Sequence, residues 1–162
     1  MGTENTRWLN GREQDLWRTI REFLWQFPSA MDRQLTQDSA MQSGEYSVLA
    51  VLSEAEESSL RPAEVAQELR WDRSRLSHLL RRMEVKGLIT RCSDASDRRG
   101  HQIGLSELGW QAIRAAAPKH VEFIRSSLFD SLTAEESAAL ETALPKILAA
   151  IAPQGADMPR CD

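Results

Sequence analysis

The chain has 162 residues, of which 41% are hydrophobic and 27% charged, a composition typical of one folded domain with appended helices. This composition argues against wholesale disorder, a collagen repeat or a disulfide scaffold. Cys92 and Cys161 are too far apart in the sequence to form a CxxC-type metal-binding pair. No stretch reaches the roughly 18 to 20 apolar residues of a membrane span, and the first residues are too polar for a secretion signal. We therefore expect a cytoplasmic protein without a membrane partner.

Basic residues are concentrated in one part of a chain whose net charge is −4. Residues 70–100 carry nine basic and four acidic side chains, a local balance of +5, so that the remainder sums to −9. Such segregation allows one face to attract a polyanion while the acidic remainder keeps the protein soluble. This segment is therefore the candidate binding region for nucleic acid.

Helical periodicity dominates the N-terminal part of the chain. Apolar residues recur at spacings of three and four, which predicts a helix over residues 11–27. Pro28 predicts a kink or a break, followed by more helix. A short apolar helix is predicted to begin at Ser43, and the polar residues 54–59 predict a loop.

Two short helices joined by a tight turn follow this loop. Pro62 suits the first residue of a helix that runs to about Leu69, because its missing N–H would be unpaired there anyway. Asp72 suits the N-cap of the next helix, which runs to about Lys86 and ends at Gly87. One face of this second helix is an apolar stripe of Leu76, Leu79, Leu80 and Met83.

The pattern changes to β after the second helix. Residues 88–90 and 103–105 predict two short strands, and the charged residues 94–100 predict the turn between them. Two helices, a tight turn and a hairpin with a basic tip form the layout of a winged helix-turn-helix. We therefore predict a mainly α fold with a small β-hairpin wing.

The second helix carries a candidate DNA-binding face opposite its apolar stripe. Arginine, serine and histidine side chains can contact phosphates and base edges, and a helix N-terminus favours negative charge. A basic helix alone is more often only a solvated face, but the neighbouring basic wing favours DNA. The predicted contacts are Arg73, Ser74, Arg75, Ser77, His78 and Arg81.

Residues 60–105 resemble the DNA-binding core of the MarR family of bacterial transcription regulators, most specifically in the sequence Asp97-Arg98-Arg99. The flanking helices fit as well, so the resemblance covers nearly the whole chain. It implies that the six residues above occupy recognition-helix positions. It also implies that Arg98 or Arg99, with Arg99 favoured, enters the minor groove while Asp97 orients the arginines. Arg61 departs from the family pattern, in which Ser or Thr often precedes the first helix of the motif.

The terminal helices carry apolar stripes that the small winged domain cannot cover alone. A second copy can cover them, and the resemblance also implies a two-fold dimer formed by the N- and C-terminal helices. Four segments are therefore expected. They are an N-terminal dimerisation segment (1–42), a winged helix-turn-helix domain (43–105), C-terminal dimerisation helices (106–152) that include a helix capped at Thr133, and a flexible tail (153–162).

These features predict a homodimer that binds a pseudo-palindromic operator on double-stranded DNA and represses a nearby gene. The alternative is a winged-helix module that binds a protein partner and not DNA. An enzyme is not indicated, because the sequence has no GxSxG-type turn. His78, His101 and His120 fall in three different elements, so neither a metal nor another cofactor is expected.

The resemblance further implies a pocket for a small aromatic effector between the dimer helices and the winged domain. Trp17, Arg21 and Trp110 are the candidate lining residues, although core packing explains the tryptophans equally well. Cys92 is either a redox sensor beside the wing or a small strand residue. In redox regulators of the MarR family the best-known sensing cysteine lies near the start of the first helix. This chain has no cysteine before position 92, so the strand residue is favoured.

Overall fold

The computed structural model describes residues 6–93 and 101–152. The elements are α1 (Gly11–Ser39), α2 (Ser43–Glu54), β1 (Ser59–Leu60), α3 (Pro62–Leu69), α4 (Arg73–Val85), β2 (Ile89–Ser93), β3 (His101–Leu105), α5 (Glu107–Ser127), a 3₁₀ turn (Phe129–Ser131) and α6 (Ala134–Ile151). The predicted mainly α fold with a small wing is confirmed. The chain divides into two compact units, Met1–Val121 and Glu122–Asp162. The four-segment division remains a prediction, and its predicted flexible tail, like the predicted turn 94–100, lies outside the described residues.

Helix α1 begins with reciprocal hydrogen bonds that satisfy two of its free N–H groups. The N–H of Glu13 donates to Oδ1 of Asn10 at 3.0 Å, and the N–H of Asn10 donates to Oε2 of Glu13 at 2.8 Å. The helix then continues to Ser39 with Pro28 inside it, so the predicted continuation of helix is confirmed and a break at Pro28 is wrong. Packing around the following turns, where Leu35 is fully buried, stabilises the helix beyond the proline.

The helix-turn-helix lies where the capping residues predict it. Helix α3 begins at Pro62, and Arg70 ends it in the left-handed region at φ 52°. Asp72 caps α4 as predicted, since its side chain accepts hydrogen bonds from the first turn. Beyond α4, Gly87 has a φ of 73°, which glycine adopts without strain, and the N–H of Leu88 returns to the Met83 carbonyl at 2.9 Å.

The wing belongs to a three-stranded antiparallel sheet rather than to the predicted hairpin alone. Strand β3 lies between β1 and β2, with Ser59 opposite Gly104 and Leu60 opposite Ile103. Strand β1 was not predicted: Ser59 falls in the predicted loop 54–59, and two residues are too few to show strand alternation. Cys92 lies in β2 opposite Gln102, which confirms the position of Cys92 in a strand.

The core of the first unit is formed by one cluster of buried apolar residues. The predicted stripe of α4 lies at its centre, with each of the four side chains at most 6% exposed. Helices α2, α3 and α5 and the sheet pack around that stripe. Their buried contributions are Val48, Leu49, Leu52, Val65, Ala66, Ile89, Ile103, Ile113 and Ala116, and Met41 joins them from the connection before α2.

Helix α5 follows the wing through a close approach of two backbone segments. Oγ of Ser106 donates to the Gly87 carbonyl at 2.5 Å and accepts the N–H of Gly109 at 2.9 Å, so the start of α5 is tied to the end of α4. A Cβ at Gly109 would lie 2.0 Å from the carbonyl oxygen of Leu88. Only glycine therefore fits at position 109.

The second unit ends in helix α6, whose start matches the sequence prediction. The N–H of Glu136 donates to Oγ1 of Thr133 at 3.2 Å, and the N–H of Thr133 donates to Oε2 of Glu136 at 2.8 Å. This is the predicted capping box. None of the residues assigned to α6 is buried, and its apolar residues are 39 to 71% exposed.

Candidate nucleic-acid interface

All six residues predicted on the second helix of the motif lie exposed on α4. We call these six residues, Arg73, Ser74, Arg75, Ser77, His78 and Arg81, the recognition face. The opposite stripe of the same helix is buried in the core, so the fold fixes which side of α4 points away from the protein. The recognition face can therefore contact a polyanion without any rearrangement of the core.

The N-terminus of α4 is occupied by the carboxylate of Asp72. Oδ1 of Asp72 accepts the N–H of Ser74 at 2.7 Å, the Oγ of Ser74 at 2.5 Å and the N–H of Arg75 at 3.4 Å. The hydrogen bond from the Ser74 hydroxyl, followed by those from the two amides, lowers the pKa of Asp72 below its ordinary 3.8. The amides of Ser74 and Arg75 are therefore engaged by the cap and are not free to bind a phosphate.

A cleft of about 670 Å³ borders one side of the recognition face, and we call it the Trp71 cleft. Arg75, His78 and Arg81 line it from α4, and Trp71 lines it from the turn. The guanidinium carbon of Arg75 lies 5.0 Å from the centre of the Trp71 ring, which is the geometry of a cation–π contact. Arg82 and Asp32 line the cleft as well, so it combines three arginines, a histidine and one carboxylate with an aromatic surface.

A second cleft, of about 420 Å³, borders the other side of α4, and we call it the wing cleft. Arg73 and Ser77 line it from the recognition face, while Arg61 and Arg91 add positive charge from the start of α3 and from β2. Nε of Arg91 also lies 2.9 Å from Oε2 of Glu84, so part of its charge is neutralised. The basic surface therefore extends from the recognition face towards the wing.

An ion pair between the half-exposed Lys86, which caps the C-terminus of α4, and the buried Glu45 of α2 holds this end of α4 against α2. Nζ of Lys86 lies 2.6 Å from Oε1 of Glu45, a side chain that is only 2% exposed. A buried carboxylate needs such a partner, because removal from water without compensation is unfavourable. Together with the cap at Asp72, this pair fixes both ends of the helix that carries the recognition face.

The remaining predicted site residues are the three of the wing and the three candidates for effector binding. Asp97, Arg98 and Arg99 lie outside the described residues. Trp17 is about half exposed on α1, and Arg21 stacks on Trp25, with its guanidinium carbon 5.1 Å from the ring centre.

Trp110 is half-buried and packs against the core. The guanidinium carbon of Arg114 lies 4.8 Å from the centre of its ring. Neither stacking contact joins Trp17, Arg21 and Trp110 to one another. Their role in effector binding remains a prediction.

Several contributors to the surface were missed at the level of sequence. Arg61 was noted only as a departure from a capping pattern, and Arg91 only as part of a charge count. The i, i+4 spacing of Trp71 and Arg75 was a signal that could have revealed the stacked pair. No local signal joins Glu45 to Lys86, because the two residues are 41 positions apart.

The described part of the chain contains no group of three or more His, Cys, Asp or Glu side chains arranged to hold a metal ion. Among the helices of residues 6–93 and 101–152, none is both long and apolar enough to cross a membrane.

Comparison with known proteins places these features in one family. A sequence profile of the MarR family matches residues 41–100. PapX of Escherichia coli, an HTH-type transcriptional regulator, is 31% identical over 104 residues, and the match covers 64% of this chain and 63% of PapX. The chain thus spans less than two thirds of the length of that relative.

Two solved structures from Streptomyces coelicolor match over greater lengths. The MarR family regulator Sco3205, determined in complex with DNA, is 34% identical, with a TM-score of 0.88 over 97% of this chain and 98% of that one. The MarR family regulator AbsC is 35% identical, with a TM-score of 0.84 over 90% of this chain and 97% of that one.

The helix-turn-helix, its three-stranded sheet and the exposed basic face of α4 define a winged helix-turn-helix protein. Within that class, the sequence profile and the two full-length matches decide the family. The chain belongs to the MarR family of transcriptional regulators.

Proposed function

We propose that this protein is a homodimeric DNA-binding regulator that represses a nearby gene. The observation that carries the proposal is the recognition face, six exposed polar or cationic side chains on a helix whose other side forms the core. The similarity to Sco3205, a regulator whose structure contains DNA, supports the same conclusion. In this proposal α4 enters the major groove and its side chains contact base edges and phosphates.

The wing supplies the second contact of the proposed complex. Arg99, or Arg98 beside it, enters the minor groove, and Asp97 orients these arginines. Strand β2 precedes residues 94–100 in the sequence, and its Arg91 lines the wing cleft together with Arg73 of the recognition face. A duplex bound along α4 would therefore meet cationic side chains on both sides of the helix.

The apolar surfaces of the terminal helices support the proposed dimer. Leu16, Phe23 and Leu24 on α1 are 47 to 62% exposed, and Leu148 and Ile151 on α6 are 62 and 71% exposed. Several large apolar side chains exposed on one helix are typical of an interaction site. A two-fold dimer would present two copies of α4 about one turn of DNA apart, which requires a pseudo-palindromic operator.

The proposal is tested by the salt dependence of binding. Fluorescence anisotropy with the DNA region upstream of the protein's own gene should give a plot of log affinity against log salt concentration with a steep negative slope. The expected slope is about −0.9 for each phosphate contact, several units in total for a dimer. A slope near zero, or no binding to this DNA, would favour a winged-helix module for a protein partner.

We further propose that a small aromatic effector releases the repressor from DNA, with Trp17, Arg21 and Trp110 in the pocket. A cation and two aromatic rings suit an aromatic carboxylate, because the ring can stack and the carboxylate can pair with Arg21. Titration with a panel of aromatic carboxylates should raise the dissociation constant for DNA in the parent protein. Arg21→Ala should need higher ligand concentrations for the same effect.

A further inference from the structure

Trp71 occupies the turn between α3 and α4, directly before the residue that caps α4. Its N–H donates to the Ala66 carbonyl at 2.9 Å, and Arg70 before it is in the left-handed region. Hydrogen bonds of this kind close the C-terminus of α3. They also fix the direction in which the side chain of Trp71 leaves the turn.

The indole of Trp71 rests on the core of the winged domain. It is half-buried and packs against the buried apolar cluster. A Cβ added at Gly44, in the first turn of α2, would lie 3.5 Å from Cη2 of the indole, so the ring passes close to that helix. The ring is therefore positioned by the protein itself, before any ligand binds.

Arg75 is stacked on this fixed ring. Its guanidinium carbon lies 5.0 Å from the ring centre, and its own amide is held by Asp72. Stacking uses the face of the guanidinium, whereas hydrogen bonds to a base edge use the N–H groups in its plane. Arg75 can therefore remain on Trp71 and contact DNA at the same time.

We propose that Trp71 is a positioning residue that orients Arg75 to read one base pair of the operator. This inference rests on the proposed DNA-binding function. A free arginine side chain loses rotamer freedom when it binds, whereas the stack has already restricted Arg75 in the unbound protein. The base that suits a bidentate guanidinium is guanine, through O6 and N7. Trp71 thus determines specificity without contacting DNA itself.

The test is a double-mutant cycle on the full-length chain. The parent protein first selects its preferred sequence from a randomised duplex library, and the selected duplex is the probe for fluorescence anisotropy. Trp71→Leu should raise the dissociation constant about two- to fivefold, the range of an exposed cation–π contact. In the Arg75→Ala background the same substitution should have no further effect.

Arg73→Ala provides the matched control background. Arg73 is also an exposed arginine in the first turn of α4, but it lines the wing cleft and not the Trp71 cleft. Trp71→Leu should therefore cause the same loss of DNA affinity in the Arg73→Ala background as in the parent protein. An equal loss in the parent, Arg73→Ala and Arg75→Ala backgrounds would overturn the proposal, since Trp71 would then act only through the fold.

Base preference gives a readout that a structural role would not change. Repeating the selection with Arg75→Ala should remove the preference for guanine at one position, and Trp71→Leu should weaken it at the same position only. Trp71→Tyr, which keeps an aromatic face, should retain most of the preference for guanine at that position. Unchanged preference with a folded Trp71→Leu variant would contradict the proposal.

Three further outcomes are decisive. If circular dichroism shows that Trp71→Leu does not fold, the cycle is run with Trp71→Met, a flexible apolar side chain without an aromatic face, and its loss of affinity must again disappear in the Arg75→Ala background. If the parent protein selects no sequence at all, the proposed function fails and this inference fails with it. Selection by the parent without coupling between Trp71 and Arg75 overturns the inference alone.

Discussion

The winged helix core and the terminal helices differ in how they bury their apolar residues. In the core, Leu76, Leu80 and Met83 are at most 2% exposed, whereas Leu16 on α1 and Leu148 on α6 are each 62% exposed. Burying apolar surface is the main favourable contribution to folding. The core is therefore complete within one chain, whereas the terminal helices have apolar surfaces that another chain can cover.

Gly109→Ala tests the closed core and should have the largest effect. The new Cβ would lie 2.0 Å from the carbonyl oxygen of Leu88, a backbone atom that cannot move without shifting the wing. We expect the free energy of unfolding to fall by about 3 kcal/mol or more. Urea denaturation followed by circular dichroism measures this change.

Gly11→Ala is the matched control for this substitution. Gly11 is the first residue of α1 and has no atom within 4 Å of the position of an added Cβ. Alanine has the higher helix propensity, so stability should be unchanged or rise by up to about 1 kcal/mol. Equal stability of the Gly109→Ala and Gly11→Ala variants would show that the approach of Leu88 to α5 is not rigid.

Leu148→Glu tests the open surface of α6 and should have the next largest effect. If Leu148 lies in the dimer contact, the substitution places an unpaired charge there twice, once from each subunit. We expect the dimer dissociation constant to rise on the order of 100-fold, and operator affinity to fall because a monomer has only one recognition helix.

Sedimentation velocity of the variant beside the parent protein measures this change in assembly. Leu148→Met, which preserves the apolar character and approximate volume, should remain dimeric. A folded Leu148→Glu variant that is still dimeric would move the contact away from α6. The exposed residues of α1 around Leu16 and Phe23 would then be the candidates.

Local signals made most of the winged helix predictable from sequence. Residues that start or end a helix act through their own backbone or the next few residues, so their roles can be inferred without tertiary contacts. In the winged helix these residues are Pro62, Asp72 and Gly87, and Thr133 has the same role at the start of α6. The apolar stripe of α4 identified its buried face, and the exposed recognition face followed from it.

Long-range contacts were not predictable in the same way. Strand β1 exists because Ser59 and Leu60 meet β3, more than 40 positions later in the chain. Nothing in the sequence near Glu45 indicates that its carboxylate is buried, because its partner is Lys86 at the other end of the motif. Such contacts depend on how the elements pack and not on periodicity.

Lys86→Met tests how firmly the core holds α4, with an intermediate expected effect. The substitution keeps an apolar stem but leaves the buried carboxylate of Glu45 without its cation. Breaking a fully buried pair costs about 3 to 5 kcal/mol, and because Lys86 is half exposed we expect a loss of about 2 kcal/mol in unfolding free energy. Urea denaturation measures it.

A double variant and an exposed cation control for the Lys86 effect. Glu45→Gln combined with Lys86→Met should recover part of the lost stability, since no unpaired charge remains. Arg82→Met, at an exposed position of α4, should change stability by no more than about 0.5 kcal/mol. A similar loss from Arg82→Met and Lys86→Met would show that general charge, not the pair with Glu45, matters.

His120 marks a contact between the closed core and α1, and its titration should have the smallest effect. The centre of its imidazole ring lies 4.3 Å from the centre of the Tyr46 ring. Nδ1 of His120 lies 3.1 Å from Oε1 of Gln34 on α1. Desolvation by burial lowers the pKa of His120 below its ordinary 6.5. The unfolded chain therefore binds a proton more readily than the folded chain as the pH decreases.

The sign of the resulting pH dependence follows from this difference. Well above pH 6.5 the imidazole is neutral in both states and contributes no pH dependence, whereas as the pH decreases through 6.5 the free energy of unfolding should decrease until the folded pKa is passed. Urea denaturation on both sides of pH 6.5 should show this decrease in the parent protein and a smaller one in His120→Gln. Asp32, Asp38 and Asp72 do not account for the difference between parent and variant, because hydrogen bonds lower their pKa values below 3.8 and all three groups are present in both proteins. An identical pH dependence in parent and variant would show that water reaches the ring freely, and α1 would then contact the core less closely at His120 than the hydrogen bond to Gln34 indicates.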